Sequence, residues 1–114
     1  MIVWKVLTAA QLAGLLQDGS FAGSPADHAD GYVHLSTEAQ LAGTLARHYP
    51  QEDGLHLAAV DALALGDGLR WEAARGGDLF PHCYAPLPLT AVVAHGPLER
   101  DRAGALQLPR AGKP

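Results

Sequence analysis

Residues 30–37, Asp30-Gly-Tyr-Val-His-Leu-Ser-Thr37, have the pattern of a short strand that runs into the start of a helix. Successive side chains of a strand point to opposite faces of the sheet. Val33 and Leu35 therefore share one apolar face, which we assign to the core. The other face carries a phenol, an imidazole and a hydroxyl, which belong to Tyr32, His34 and Ser36. Because a helix N-terminus also favours anions, this stretch predicts a polar pocket.

Length and composition predict one globular domain. The chain has 114 residues, of which 48% are apolar, and a domain of this size buries roughly 65% of its extended-chain surface on folding. No apolar run approaches the ~20 residues that cross a bilayer, and residues 1–7 lack the pattern of a signal peptide. Cys83 is the only cysteine, which excludes an intrachain disulfide. We therefore expect a cytoplasmic protein with no membrane segment.

Charge is distributed unevenly along the chain. Residues 1–98 hold four basic and ten acidic residues, hence a net charge of −6, whereas the other four basic residues lie in residues 99–114. An acidic body opposes the phosphate attraction that drives nucleic-acid binding, so we do not expect a nucleic-acid partner. Arg70 and Arg75 are two of the four scarce cations, which makes them candidates for contacting an anionic ligand.

Strand patterns alternate with turn signals along the chain. Residues 80–84 are predicted to be extended at a sheet edge or in a loop, because Pro81 has no N–H to donate. The other predicted strands cover residues 2–7, 55–61, 69–73 and 90–94, besides the strand within residues 30–37.

Two helices are predicted in the N-terminal half. The first covers residues 9–17 with Thr8 as its N-cap, and the second covers residues 38–49, where Thr37 and Gln40 form a capping box. Residues 21–29 are predicted to be a loop and residues 62–68 a connection.

These elements predict an α+β fold rather than regular βαβ units. We expect a single compact domain over residues 1–98, with a mixed, mostly antiparallel sheet of five to six strands. Residues 99–114 show little apolar periodicity and are predicted to be a mobile C-terminal tail.

Three segments of the chain carry polar and aromatic side chains that suit a binding site. If they meet, their arginines can contact a phosphate, their histidines a sugar hydroxyl and their aromatic rings a base, while a glutamate can stabilise positive charge at a sugar carbon. The segments are Tyr32/His34/Ser36/Thr37, Arg70/Trp71/Glu72/Arg75 and Phe80/His82/Tyr84.

Each of these residues also has a purely structural interpretation. In that interpretation His34 and His82 make only local hydrogen bonds, and Ser36 and Thr37 act as capping groups. Arg70 and Glu72 can form a surface pair of little energetic value, and Trp71 can belong to the core. No metal is expected, because the histidines lack ligand spacing and no thiolate pair exists.

A family resemblance depends on an ordered set of residues: Trp4-Lys5, Gly23, Asp27, residues 30–37, Gln40, Arg70-Trp71-Glu72 and Phe80-Pro81-His82-Cys83-Tyr84. Over residues 2–98 this order resembles a bacterial family of unknown function, domain of unknown function 952. That family in turn looks like a compact relative of the ADP-ribosyltransferase fold, whose members include toxins and RNA 2′-phosphotransferases.

The resemblance implies an ADP-ribosyltransferase-like fold and roles for particular residues. His34 would contact the ribose of NAD, with assistance from Ser36 or Thr37. Members of that fold carry a late catalytic glutamate, which residues 90–98 do not provide, and Glu72 lies earlier than expected. The phosphotransferase branch relies on arginines and a histidine instead of that glutamate, and Arg70 and Arg75 could correspond to those arginines.

The predicted function is that of an ADP-ribosyltransferase-like enzyme, of the ADP-ribosyl or 2′-phosphotransferase type. It would use NAD as cofactor or bind an ADP-ribosyl nucleotide as its small-molecule ligand. The catalytic candidates are His34, Glu72 and His82, and the ligand-binding candidates are Tyr32, Ser36, Thr37, Arg70, Trp71, Arg75 and Tyr84. Two alternatives remain open: a non-catalytic module for a metabolite or protein partner, and a metal-dependent hydrolase using His34 and His82.

Overall fold

Two three-stranded antiparallel sheets form the centre of the structure, a computed structural model that describes residues 1–109. The strands are β1 (Ile2–Leu7), β2 (Ser20–Phe21), β3 (Val33–His34), β4 (His56–Asp61), β5 (Leu69–Ala73), β6 (Leu79–Cys83), β7 (Leu87–Pro88), β8 (Val92–Pro97), β9 (Glu99–Arg100) and β10 (Leu106–Gln107). The helices are α1 (Ala9–Asp18), α2 (Pro25–Asp30), α3 (Leu41–His48) and α4 (Ala62–Leu65). Short 3-10 turns cover Glu38–Gln40, Gly66–Gly68, Arg75–Gly77 and Leu89–Ala91.

The stretch that follows β3 joins the two sheets. One sheet has the order β1-β4-β8 and the other the order β3-β6-β5. Trp4 and Ser36 exchange backbone hydrogen bonds of 2.7 and 2.9 Å, so residues 33–36 pair first with β6 and then with β1. The α+β prediction is confirmed, and within residues 1–109 the strand pairings are antiparallel rather than mixed.

Pro81 lies in the central strand of the second sheet, so its prediction at an edge or in a loop is wrong. Leu35 donates its backbone N–H to the carbonyl of Pro81 over 3.1 Å, but Pro81 has no N–H to return. The β3–β6 ladder therefore stops at this point, where the chain changes partner from β6 to β1. A central proline is tolerated because the ladder ends there.

The core consists of two apolar clusters on opposite faces of β1. Val3 and Leu7 belong to the first cluster and Trp4 and Val6 to the second, which explains why this strand is buried on both faces. Helix α1 covers the first cluster through Leu12 and Leu15, and α3 covers the second through Leu41 and Leu45. Val33 and Leu35 lie in the first cluster, as the alternation predicts.

Several boundaries differ from the prediction. The loop predicted over residues 21–29 contains α2, which begins after Ser24 and carries Pro25 in its first turn. The connection over residues 62–68 contains α4, capped by the Asp61 side chain. The closing strand predicted over residues 90–94 begins and ends later, as β8.

Residues 99–109 form a short hairpin of β9 and β10. Leu106 and Leu108 pack against the second cluster, a contact that the sequence pattern did not indicate. The predicted mobility of this segment stays a prediction, and residues 110–114 of the predicted tail lie outside the described part of the chain.

Candidate functional site

A cleft of about 570 Å³ opens between the polar face of residues 32–36, helix α3 and the start of β6. Ser36 is buried at one wall, where its hydroxyl lies 2.8 Å from that of Thr44 on α3. The polar and aromatic side chains that line the cleft are those of Trp4, Lys5, Thr8, Gln11, Ser24, Asp27, Asp30, Tyr32, His34, Ser36, Thr44, Arg47, His48, Tyr49, Glu52, Arg75, Phe80 and His82. Its volume lies within the range of about 300–1,000 Å³ typical of small-molecule sites.

A buried ion pair lies behind the polar face of the cleft. Lys5 Nζ donates to both carboxylate oxygens of Asp27, at 3.2 and 3.1 Å, and to the backbone carbonyl of His34 at 3.0 Å. Burial lowers the pKa of Lys5 against the opposing charge of Asp27. Burial alone would raise the pKa of Asp27, but bonds from His34, the charge of Lys5 and the backbone N–H groups of Ser24 and His34 hold it below its ordinary value.

His34 lies between two carboxylates. Its Nδ1 is 2.6 Å from Asp27 Oδ1, and its Nε2 is 2.8 Å from Asp30 Oδ2. Carboxylates accept hydrogen bonds, so this arrangement favours the imidazolium, which donates from both nitrogens. The bond to Asp27 is the main cause that raises the pKa of His34, against burial, and the bond to Asp30 adds to it.

His82 is oriented by a carboxylate on its outer side. Its Nδ1 donates to Glu72 Oε1 at 2.9 Å, and the Tyr84 hydroxyl donates to the same oxygen at 2.6 Å. These two bonds, Tyr84 first, lower the pKa of Glu72. Tyr32 stacks on the His82 ring with centroids 3.9 Å apart. Within residues 1–109 the Nε2 atom of His82 has no hydrogen-bond partner, and the ring borders the cleft.

Arg75 crosses the opposite side of the cleft and lies over helix α3. Its guanidinium is 4.9 Å from the centroid of the Phe80 ring, and its Nη2 would lie 3.0 Å from a Cβ placed on Gly43. Glycine at this position therefore allows the guanidinium to approach the helix backbone. The pKa of His48 is lowered by burial and then by the charges of Arg47, Arg75 and His34.

The structure brings together half of the ten predicted site residues in the cleft: Tyr32, His34, Ser36, Arg75 and His82. Three others form an adjoining cluster, in which Glu72 contacts His82 and Tyr84, and the Arg70 guanidinium lies 5.1 Å from the Tyr84 ring centroid. The remaining two lie elsewhere: Thr37 caps the 3-10 turn with Gln40, and Trp71, which is 37% exposed, lies outside the cleft and not in the core.

Sequence reasoning missed several residues that line the cleft: Lys5, Asp27, Asp30, Thr44, Arg47, His48 and Glu52. One signal was present, because Lys5 alternates with Val3 and Leu7 on an inward face of β1, where a charge requires a buried partner. The partner Asp27 is 22 residues away, and no spacing rule identifies it.

In residues 1–109, no group of three or more histidine, cysteine or acidic side chains is arranged to hold a metal ion. Over the same residues, no helix combines the length and apolar character needed to cross a membrane.

Comparisons with known proteins point to one family. The family model described as "Protein of unknown function (DUF952)" matches residues 6–95. The crystal structure of protein CC0527 from Caulobacter crescentus is 39% identical, with a TM-score of 0.85 and coverage of 94% of each chain. The solution NMR structure of the same protein is 40% identical, with a TM-score of 0.78 and coverage of 93% of this chain and 91% of that one. No curated protein matches this sequence.

Proposed function

The chain belongs to the DUF952 family, and on that premise we propose that its cleft binds an anionic nucleotide, NAD or an ADP-ribosyl compound. The protein would then be an ADP-ribosyltransferase-like enzyme or a binding module on a related fold.

The location of the cations carries this proposal. Residues 1–98 hold only four lysines and arginines against ten acidic residues, and three of the four, Lys5, Arg47 and Arg75, line the cleft. The doubly bonded His34 adds a fourth positive group. Arginine can bind a phosphate through two parallel hydrogen bonds, and Arg47 and Arg75 are the two in position to do so.

The other parts of a nucleotide also find suitable groups in the cleft. Hydroxyls of Ser36 and Thr44 suit a sugar, and the rings of Trp4, Tyr49 and Phe80 provide apolar walls for a base. His82 Nε2, as an acceptor, suits a hydroxyl of the ribose. These features support a ligand that combines anionic, hydroxyl and planar groups.

A second candidate, a non-catalytic binding module, is favoured by the position of Glu72. Its Oε1 accepts bonds from His82 and Tyr84, and the residue is not part of the cleft lining. The carboxylate therefore orients His82 instead of facing a bound sugar. Incubation with NAD, followed by chromatographic measurement of free nicotinamide, separates the two: a module leaves the amount of nicotinamide unchanged, and an enzyme increases it.

Isothermal titration calorimetry with NAD, ADP-ribose and nicotinamide tests binding. We expect ADP-ribose to bind, and Arg75→Ala to weaken binding about 10- to 100-fold, because hydrogen bonds to charged groups contribute roughly 1.5–3 kcal/mol. Arg102→Ala, which removes an exposed arginine from the hairpin, is the control and should leave the affinity unchanged. Thermal melts establish that Arg75→Ala remains folded. Absence of heat with all three compounds would rule out the proposal.

A further inference from the structure

The carboxylates of Asp27 and Asp30, which both contact the His34 ring, differ in how many other contacts fix them in place. Asp27 is 2% exposed and is fixed by Lys5 and by the backbone N–H groups of Ser24 and His34. The Asp30 side chain is 54% exposed, and its one hydrogen bond among residues 1–109 is the bond to His34 Nε2. The first carboxylate is part of the framework, whereas the second can leave without disturbing other contacts.

We propose that the Nε2 side of His34 is an anion subsite of the cleft, filled by the carboxylate of Asp30 in the free protein and by an anionic oxygen of the ligand in the complex. The ligand group is a phosphate or a carboxylate. Asp30 acts as an internal competitor that the ligand displaces, and this inference rests on the proposed function of the cleft.

The hydrogen-bond chemistry of His34 decides which group binds there. A contact of 2.8 Å between Nε2 and a carboxylate oxygen is favourable only when Nε2 carries a proton. Asp27 fixes the ring from the other side, so Nε2 keeps its direction when Asp30 departs. A displacing group must accept this hydrogen bond, and an anionic oxygen accepts it more strongly than a neutral hydroxyl.

The surroundings of the subsite favour an anion over a cation. Arg47, His48 and Arg75 line the same cleft. Glu52 is the other acidic residue of the lining apart from the two partners of His34. Departure of Asp30 leaves the Nε2–H group of the His34 imidazolium without an acceptor, in a cleft also lined by Arg47 and Arg75, and a phosphate oxygen can accept that hydrogen bond.

The test compares two variants that remove one negative charge from the same cleft. Asp30→Asn removes the competitor, and Glu52→Gln removes a carboxylate with no hydrogen bond to His34 in the described residues. Calorimetry is performed with ADP-ribose and, separately, with inorganic pyrophosphate. We expect Asp30→Asn to bind both probes about two- to five-fold more tightly than the wild type, because an exposed ion pair that must be broken has this value. Glu52→Gln should produce a smaller gain.

A double variant assigns the gain to His34. In the His34→Gln background, the gain from Asp30→Asn should fall to that of Glu52→Gln, since the group that Asp30 blocks is gone and only the general effect of removing a negative charge is left. An equal gain for Asp30→Asn and Glu52→Gln in the wild-type background would show a general charge effect and overturn the inference, as would a gain from Asp30→Asn that is undiminished in the His34→Gln background. If pyrophosphate binds in this pattern and ADP-ribose does not, the anion subsite stands and the nucleotide proposal falls. If ADP-ribose binds with no dependence on Asp30, the nucleotide proposal stands and the anion subsite falls. If neither ADP-ribose nor pyrophosphate binds, both proposals are refuted.

Discussion

The carboxylate of Asp27 accepts hydrogen bonds from the Lys5 ammonium, the His34 ring and the backbone N–H groups of Ser24 and His34. These contacts tie helix α2 to strands β1 and β3. Asp27→Asn leaves the Lys5 charge buried without its counter-ion, so we expect a loss of about 3–5 kcal/mol in the free energy of unfolding. Urea denaturation measures it, and the exposed Asp53→Asn should change stability by less than about 0.5 kcal/mol. Similar losses in the two variants would contradict this account of Asp27.

The same residue makes stability depend on acid pH. The pKa of Asp27 is lowered from 3.8 in the folded protein, so its ionised form favours folding. That contribution is fully present above pH 3.8 and is lost as the pH falls through the folded pKa. Asp27→Asn should therefore flatten the acid limb of stability against pH, as followed by urea denaturation at a series of pH values. An unchanged acid limb would mean that other carboxylates control it.

The contribution of His34 to stability has the opposite dependence on pH. Its pKa is raised above 6.5, so the imidazolium stabilises the fold fully below pH 6.5, and this contribution is lost as the pH rises through the folded pKa. We expect the free energy of unfolding to decline across that range in the wild type and to change less in His34→Gln. The exposed His95→Gln is the control and should follow the wild type. NMR titration of the ring protons checks the direction independently, and a His34 pKa at or below 6.5 would exclude the two-carboxylate arrangement in solution.

The Arg75 guanidinium lies against Gly43 of helix α3 and over the Phe80 ring of strand β6. Gly14→Ala in α1 and Gly43→Ala in α3 both replace a helical glycine, and each should gain about 0.5–1 kcal/mol of helix stability. A Cβ on Gly14 meets nothing within 4 Å, whereas one on Gly43 lies 3.0 Å from Arg75 Nη2. Gly43→Ala should therefore displace the guanidinium and weaken ADP-ribose binding, while Gly14→Ala leaves the affinity unchanged. Equal affinities in calorimetry would show that Arg75 does not act from this position.

Elements with local signals were predictable, and elements that depend on distant partners were not. The capping box of Thr37 and Gln40 and the alternation of Val33 with His34 were readable because both depend on neighbours within a few residues. Helix α2 was missed because Gly23, Ser24 and Pro25 were interpreted as loop residues. Ser24 as N-cap with Asp27 three residues later is nevertheless a capping box, and Pro25 is favoured in the first turn.

At the scale of the whole molecule, composition indicates that cations are scarce but not where they gather. Lys5, Arg47 and Arg75 come from β1, α3 and the turn before β6, and they line one cleft because residues 33–36 pair with both sheets. This change of strand partner depends on residues that are far apart in the sequence. Pro81 predicted a sheet edge or a loop at the position where the central strand β6 lies. Strand alternation places Glu72 on the same face of β5 as Arg70, but its position on the outer side of His82, away from the cleft, follows only from the assembled sheet.

The hairpin of β9 and β10 extends the second apolar cluster beyond the domain boundary expected at residue 98. Leu106 and Leu108 are half-buried against the cluster that contains Leu41 and Leu57. Half the burial of two leucines is worth about 2 kcal/mol, less the cost of ordering the hairpin. A chain ending at residue 98 should therefore be about 1–2 kcal/mol less stable to urea than a chain ending at residue 109. Comparing these two truncations, rather than either with the full chain, isolates the hairpin from residues 110–114. Equal midpoints and equal denaturant dependence would restore the view that residues 99–109 belong to a mobile tail.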